Sequence, residues 1–128
     1  MKKISAFSIA ILTVFLGIVV VQAFDKEYFE FSRVGQYDET EEKLVAGTKR
    51  LTADYDDSNI DATLGLSLSY KVLFGYRFIS RCNLSTYGNN GVYCNWPNQG
   101  EDTYKGTLTF NSSNDNKPIA GTFYLKNV

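Results

Sequence analysis

The sequence predicts an all-β domain, a small antiparallel sandwich or barrel of about six to eight strands. Three observations lead there. Across residues 60–79 every even position is apolar. Two shorter alternating runs, at 104–110 and 119–125, close the chain. Two cysteines behind an export-type N-terminus offer the staple with which a domain of this size offsets a small core.

Taken in order, residues 1–23 read as a signal peptide. Lys2 and Lys3 give a positive start, an apolar run extends from Ile4 to Val21, and Val21-Gln22-Ala23 offers small residues to a signal peptidase. The run is longer than a usual signal core and near the ~18–20 residues that cross a bilayer, so an uncleaved anchor is the alternative. Residues 24–128 then form a single extracytoplasmic β domain, secreted or periplasmic. The full chain carries a net charge of −1, and removing Lys2 and Lys3 makes the remainder more acidic. Such a balance argues against nucleic acid or anionic lipid as a partner, leaving membrane attachment only to an uncleaved N-terminal segment.

Histidine is absent, which excludes Ser-His-Asp and Cys-His chemistry and most transition-metal sites. No cofactor, metal or nucleotide motif is present, and the chain is not expected to be an enzyme. Cys82 and Cys94 lack the CxxC spacing of redox pairs and are expected to form one disulfide.

Tyr28 to Arg33 reads as a strand. Residues 41–53 admit two readings. Leu44, Thr48, Leu51 and Tyr55 have helical spacing, with acids ahead of them and Lys49-Arg50 near the end, as a short helix would. The other reading is an edge strand. Asp54 to Asp61 has alternating oxygen ligands, but Asn59 and Gly65 stand where a calcium loop needs glycine and glutamate, so it reads as a solvated acidic turn.

The 60–79 run would reach roughly 66 Å as one strand, too long for a small domain. Its parity never changes, as a two-residue hairpin would require, so a strand bent at Gly65 or Gly75 is expected. The runs at 104–110 and 119–125 have opposite parity and are separated by eight residues of turn composition, which suits one antiparallel hairpin. Between Cys82 and Cys94 the register of Asn90-Gly91 leaves Cys82 unopposed, so this ring reads as an irregular loop.

Function, if legible, concentrates in residues 83–104, rich in aromatic and amide side chains. Tyr87, Asn90, Tyr93, Trp96 and Asn98 are the candidate ligand-binding residues, because aromatic faces beside amides suit a carbohydrate or a protein surface. Trp96 has a second reading, packing over the disulfide. For a two-carboxylate mechanism the candidates are Glu101 and Asp102 with the 54–61 cluster, and nothing in the sequence brings them to a defined separation. Asn83-Leu84-Ser85 and Asn111-Ser112-Ser113 are N-glycosylation sequons, expected in loops. The expectation is a non-catalytic binding protein for a carbohydrate or cell-surface ligand. The alternative is a protein-binding inhibitor, adhesin or envelope subunit.

Overall fold

A computed structural model describes residues 26–128. The expected signal peptide lies outside the described residues. Eight strands follow one another: β1 (Glu27–Phe31), β2 (Tyr37–Leu44), β3 (Gly47–Tyr55), β4 (Ala62–Val72), β5 (Gly75–Ser85), β6 (Gly91–Gln99), β7 (Asp102–Ser113) and β8 (Ile119–Asn127). They form two four-stranded antiparallel sheets, β1-β8-β3-β6 and β2-β7-β4-β5. Only the β4–β5 connection stays within a sheet, and the other six cross from one sheet to its partner. This sandwich order is a jelly roll.

The core lies between the sheets. Leu64, Leu66 and Leu68 of β4 and Leu108 and Phe110 of β7 face Leu51, Ala53, Phe123 and Leu125 from the other layer. Phe31 stacks on Phe110 at 6.1 Å and Phe29 meets Phe123 edge-on at 6.1 Å, so β1 is fastened to both layers by rings. Each such fully buried side chain stabilises the fold by about 1.5–3 kcal/mol relative to exposure.

Segment 41–53 contains no helix. It is the end of β2, a turn at Val45-Ala46 and most of β3. A spacing of four satisfies both the helical and the two-residue period, so Leu51 and Tyr55 fit either. Gly47, at φ 138°, starts the strand in a backbone region that side chains disfavour. Lys49 disguised the alternation, because it takes an inward position. It is fully buried, its ammonium donates to the carbonyls of Val45 and Gly47 (3.2 Å to the latter), and it lies 5.2 Å from the Tyr104 ring centre. Loss of solvation pulls its pKa below that of an ordinary lysine.

The 60–79 run is two strands, not one bent strand. Leu73 and Phe74 form a hairpin turn and Gly75 follows at φ 117°. Parity does swap there: Tyr76 and Phe78 lie on the outer face, opposite Lys71 and Ser69. The register shift opposite Leu68/Ser69 then adds one residue around Ile79 and returns Cys82 and Leu84 to the core side, opposite Leu66 and Leu64. Aromatic residues on the exposed side made the even series look continuous. Gly65 is no bend either. Its missing side chain lets Asn111 Nδ2 donate to Asn83 Oδ1 at 2.5 Å across β4, and a Cβ there would sit 2.8 Å from that nitrogen. Both sequon asparagines are therefore in strands, bonded to each other, rather than in loops.

The C-terminal runs are strands with the expected faces inward, but they do not pair. β7 belongs to one sheet and β8 to the other, and the chain arches between them. Residues 82–94 are likewise not one irregular loop. Cys82 sits in β5 opposite Leu66, Cys94 sits in β6 opposite Leu51, and only 86–90 lies outside strands.

At the loop end of the sandwich Tyr55 is buried, with its hydroxyl 3.4 Å from the Thr86 carbonyl. Burial pushes its pKa up to about 12. Above pH 10 the unfolded chain loses this proton while the folded chain keeps it. Stability is then lost between pH 10 and 12, by on the order of 2–3 kcal/mol from this group. Tyr104, raised by burial and then by Asp102, acts in the same direction, whereas the depressed Lys49 lets stability rise with pH below its unfolded pKa. Tyr55→Phe is expected to make the alkaline limb of a pH-denaturation curve shallower. An unchanged limb would show that the phenol is not protected.

Candidate functional site

The connections 56–61, 86–90 and 114–118 gather with 32–36 at one end of the sandwich. The backbone bonds them together, with Gly88 N donating to Ser58 O (2.7 Å) and Asn114 N to Asp61 O (2.8 Å). The acidic segment acts here as a turn former. Asp57 Oδ1 accepts Asn59 N at 2.9 Å, and Asp115 accepts the backbone N–H of Asp61 (2.9 Å) and of Lys117 (3.2 Å). Those bonds, the one from Asp61 foremost, hold the Asp115 carboxyl below its ordinary pKa. Thr86 is buried, donating to Ile60 O (2.6 Å) and accepting from Ala62 N (3.1 Å), and so fixes the start of the 86–90 loop.

The side of the sandwich formed by the edge strands β5 and β6 is tied twice. Cys82 and Cys94 form a disulfide with Cα atoms 6.6 Å apart. One step further along β6, Trp96 Nε1 donates to Ser80 Oγ of β5 at 2.6 Å. Trp96 is only 6% exposed, so its ring fills the interior beside the bridge. Two long-range ties at the sandwich edge hold β6 against a sheet with which it shares no ladder.

β6, held by these two ties, presents its odd residues outward. Tyr93 is 53% exposed, and the Arg50 guanidinium lies 4.2 Å from its ring centre. Arg50 Nε donates to Asn95 Oδ1 at 2.8 Å, so the cation is fixed by the neighbouring strand as well as by the ring. Thr52, between them on β3, pairs with Tyr93 on one side and Tyr124 of β8 on the other. Two ladder steps separate the tyrosine backbones by roughly 10 Å. Lys26 and Lys126 lie 5.3 and 5.7 Å from the Tyr124 ring centre. The outer face of this sheet thus combines aromatic planes, a fixed guanidinium, an amide and hydroxyls.

The five candidates from the sequence do not form one cluster. Tyr93 is on this outer face. Tyr87 is 62% exposed in the 86–90 loop, and Asn90 spends its carbonyl on Tyr55 N at 2.8 Å. Asn98 lies at the opposite end of β6, at φ 59°, where Gly47/Lys49 meet an irregular register. Trp96 is interior. Arg50 escaped sequence reasoning, although the polar series Arg50, Thr52, Asp54 against the buried Leu51, Ala53, Tyr55 was its readable signal. Glu101 and Asp102 lie at the end of the sandwich opposite the 54–61 turn, and Asp102 Oδ1 is engaged with Thr103 N at 2.7 Å. Among the described residues no three His, Cys, Asp or Glu side chains are grouped to hold a metal ion.

The protein is thus a disulfide-tied jelly-roll sandwich with a polar-aromatic sheet face. Its sequence matches no family model and no curated protein. Among solved structures it resembles a protein of Sulfurospirillum deleyianum (TM-score 0.50, 7% identity, 78% of this chain and 96% of that one), which shows a shared fold. The Yersinia pseudotuberculosis-derived mitogen (0.48, 11%, 82% and 87%) and a family 35 carbohydrate binding module of Clostridium thermocellum (0.48, 10%, 81% and 93%) also match.

Proposed function

We propose that this is an exported, non-catalytic binding protein that takes a carbohydrate or similar cell-surface ligand on the outer face of the β1-β8-β3-β6 sheet. The observation that carries the reading is the Tyr93–Arg50–Asn95 group, an exposed ring on disulfide-tied β6 beside a hydrogen-bonded cation on β3. A sugar stacks its C–H face on such a ring and gives its hydroxyls to the amide and the guanidinium. Strand-borne side chains locked by a disulfide lose little entropy on binding. Export to an oxidising compartment, secreted or periplasmic, accords with the bridge. Tyr87 serves as an accessory contact from the loop, and Trp96 acts as a support rather than a contact.

A glycan array probed with the oxidised protein tests this. Selective binding is expected, weakened about tenfold by Tyr93→Ala, the effect of losing a ring contact worth about 1–1.5 kcal/mol. A blank array, with capture of a protein partner that depends on Tyr93 and Tyr87, would move the reading to protein recognition.

A further inference from the structure

Leu73 and Phe74, at the tip of the β4–β5 hairpin, are 88% and 92% exposed, the most exposed of the large apolar side chains described. They belong to no core and to none of the site above. Phe78, 60% exposed, stands behind them on β5, an edge strand. Lys71 and Arg77 flank the turn on its two strands, and both are exposed. We propose that this tip is a membrane-docking element that seats Leu73 and Phe74 in the interface of an anionic lipid bilayer.

Charge distribution supports that occupant, although the net charge argues the other way. Residues 62–100 contain no Asp or Glu, while Lys71, Arg77 and Arg81 are all present there. Four acids, Asp38, Glu39, Glu41 and Glu42, sit instead on β2, the opposite edge of the same sheet. Glu101 and Asp102 stand at the tip's end of the sandwich at the start of β7, on the side of β4 away from β5. Lys105, between the two, is 3.3 Å from Glu39 and 4.5 Å from the Tyr76 ring centre. An acidic average therefore hides a basic, aromatic edge. Apolar side chains beneath a collar of Lys and Arg match the layered chemistry of a lipid interface.

Size points the same way. A Phe and a Leu at a turn bury a few hundred Å² at most, against about 1,200–2,000 Å² in a stable protein interface. A bilayer accepts a small wedge, because it closes around the inserted side chains. Val45 and Val128, 52% and 53% exposed, lie at the same end of the sandwich. β1 runs away from that end, so Glu27 is nearer to it than Phe31.

The test uses the full chain with Phe74→Trp and the parent as background, since the native Trp96 is buried. Vesicles of phosphatidylglycerol and phosphatidylcholine should shift the added emission to the blue, and phosphatidylcholine alone should not. Leu73→Ser with Phe74→Ser should weaken vesicle affinity at least about tenfold, and Lys71→Gln or Arg77→Gln about fivefold each at low salt. Exposure this high keeps the variants folded, which circular dichroism checks. Affinity unchanged in the double serine variant, no vesicle binding, or emission that stays water-like on sedimented vesicles would each overturn the proposal. So would emission already blue in buffer, which would put this chain or a second copy on the tip.

Discussion

Gly121→Ala is expected to destabilise the protein by about 3 kcal/mol or more, the upper range for overpacking, which is a large share of a small domain's stability. A Cβ at Gly121 would stand 1.9 Å from the Asp54 carbonyl oxygen, 2.9 Å from its carbon and 3.1 Å from Tyr55 Cα. All three are backbone atoms of β3, so no side chain can turn aside. β8 can accommodate the methyl only by moving off β3, which would break the ladder from Lys49↔Asn127 to Tyr55↔Gly121. Gly100→Ala is the control, since its Cβ would meet nothing within 4 Å. Thermal denaturation should show a drop of about 10–20 °C for the first and almost none for the second. Equal melting temperatures would mean that β3 and β8 lie further apart than described.

Removing the disulfide, by reduction or by Cys82→Ala with Cys94→Ala, is expected to cost about 3 kcal/mol. The bridge closes a loop with a sequence separation of 12, and most of its effect lies in restricting the unfolded chain. It also has a local consequence. β5 and β6 share no ladder, so without the bridge only the Trp96–Ser80 bond ties the two edges by hydrogen bonding. Tyr93 adjoins Cys94, and a looser β6 should weaken ligand binding even where the fold persists. Denaturant titration of oxidised and reduced protein measures the first effect. Equal midpoints would mean that packing alone closes this edge.

Much of the fold was legible because alternation reports which face of a strand is buried. The inward sides of β4, β7 and β8 follow directly from Leu64, Leu66, Leu68, Leu108, Phe110, Phe123 and Leu125. Alternation does not report which sheet a strand joins. Hence β7 and β8, with matching buried faces, read as a hairpin when they face each other across the core. Parity also fails where a turn and a register shift compensate, as between Phe74 and Cys82, and where a charged residue such as Lys49 points inward. The disulfide and Tyr93 could be read from local composition. Arg50 could not be joined to Tyr93 and Asn95, because that contact depends on a β3–β6 ladder between residues 45 apart in sequence. The exposed Leu73-Phe74 tip was hidden for a simpler reason. Its residues have the composition of the core strands on either side.

The measurement that bears most directly on the binding reading is an NMR titration of the oxidised protein with the oligosaccharides retained on a glycan array. The expected result is a set of saturable shifts at the Tyr93 ring, Arg50 Nε and the Asn95 amide, spreading to Thr52 and Tyr124. Shifts confined to the 86–90 loop, or their absence throughout the β1-β8-β3-β6 face, would contradict it.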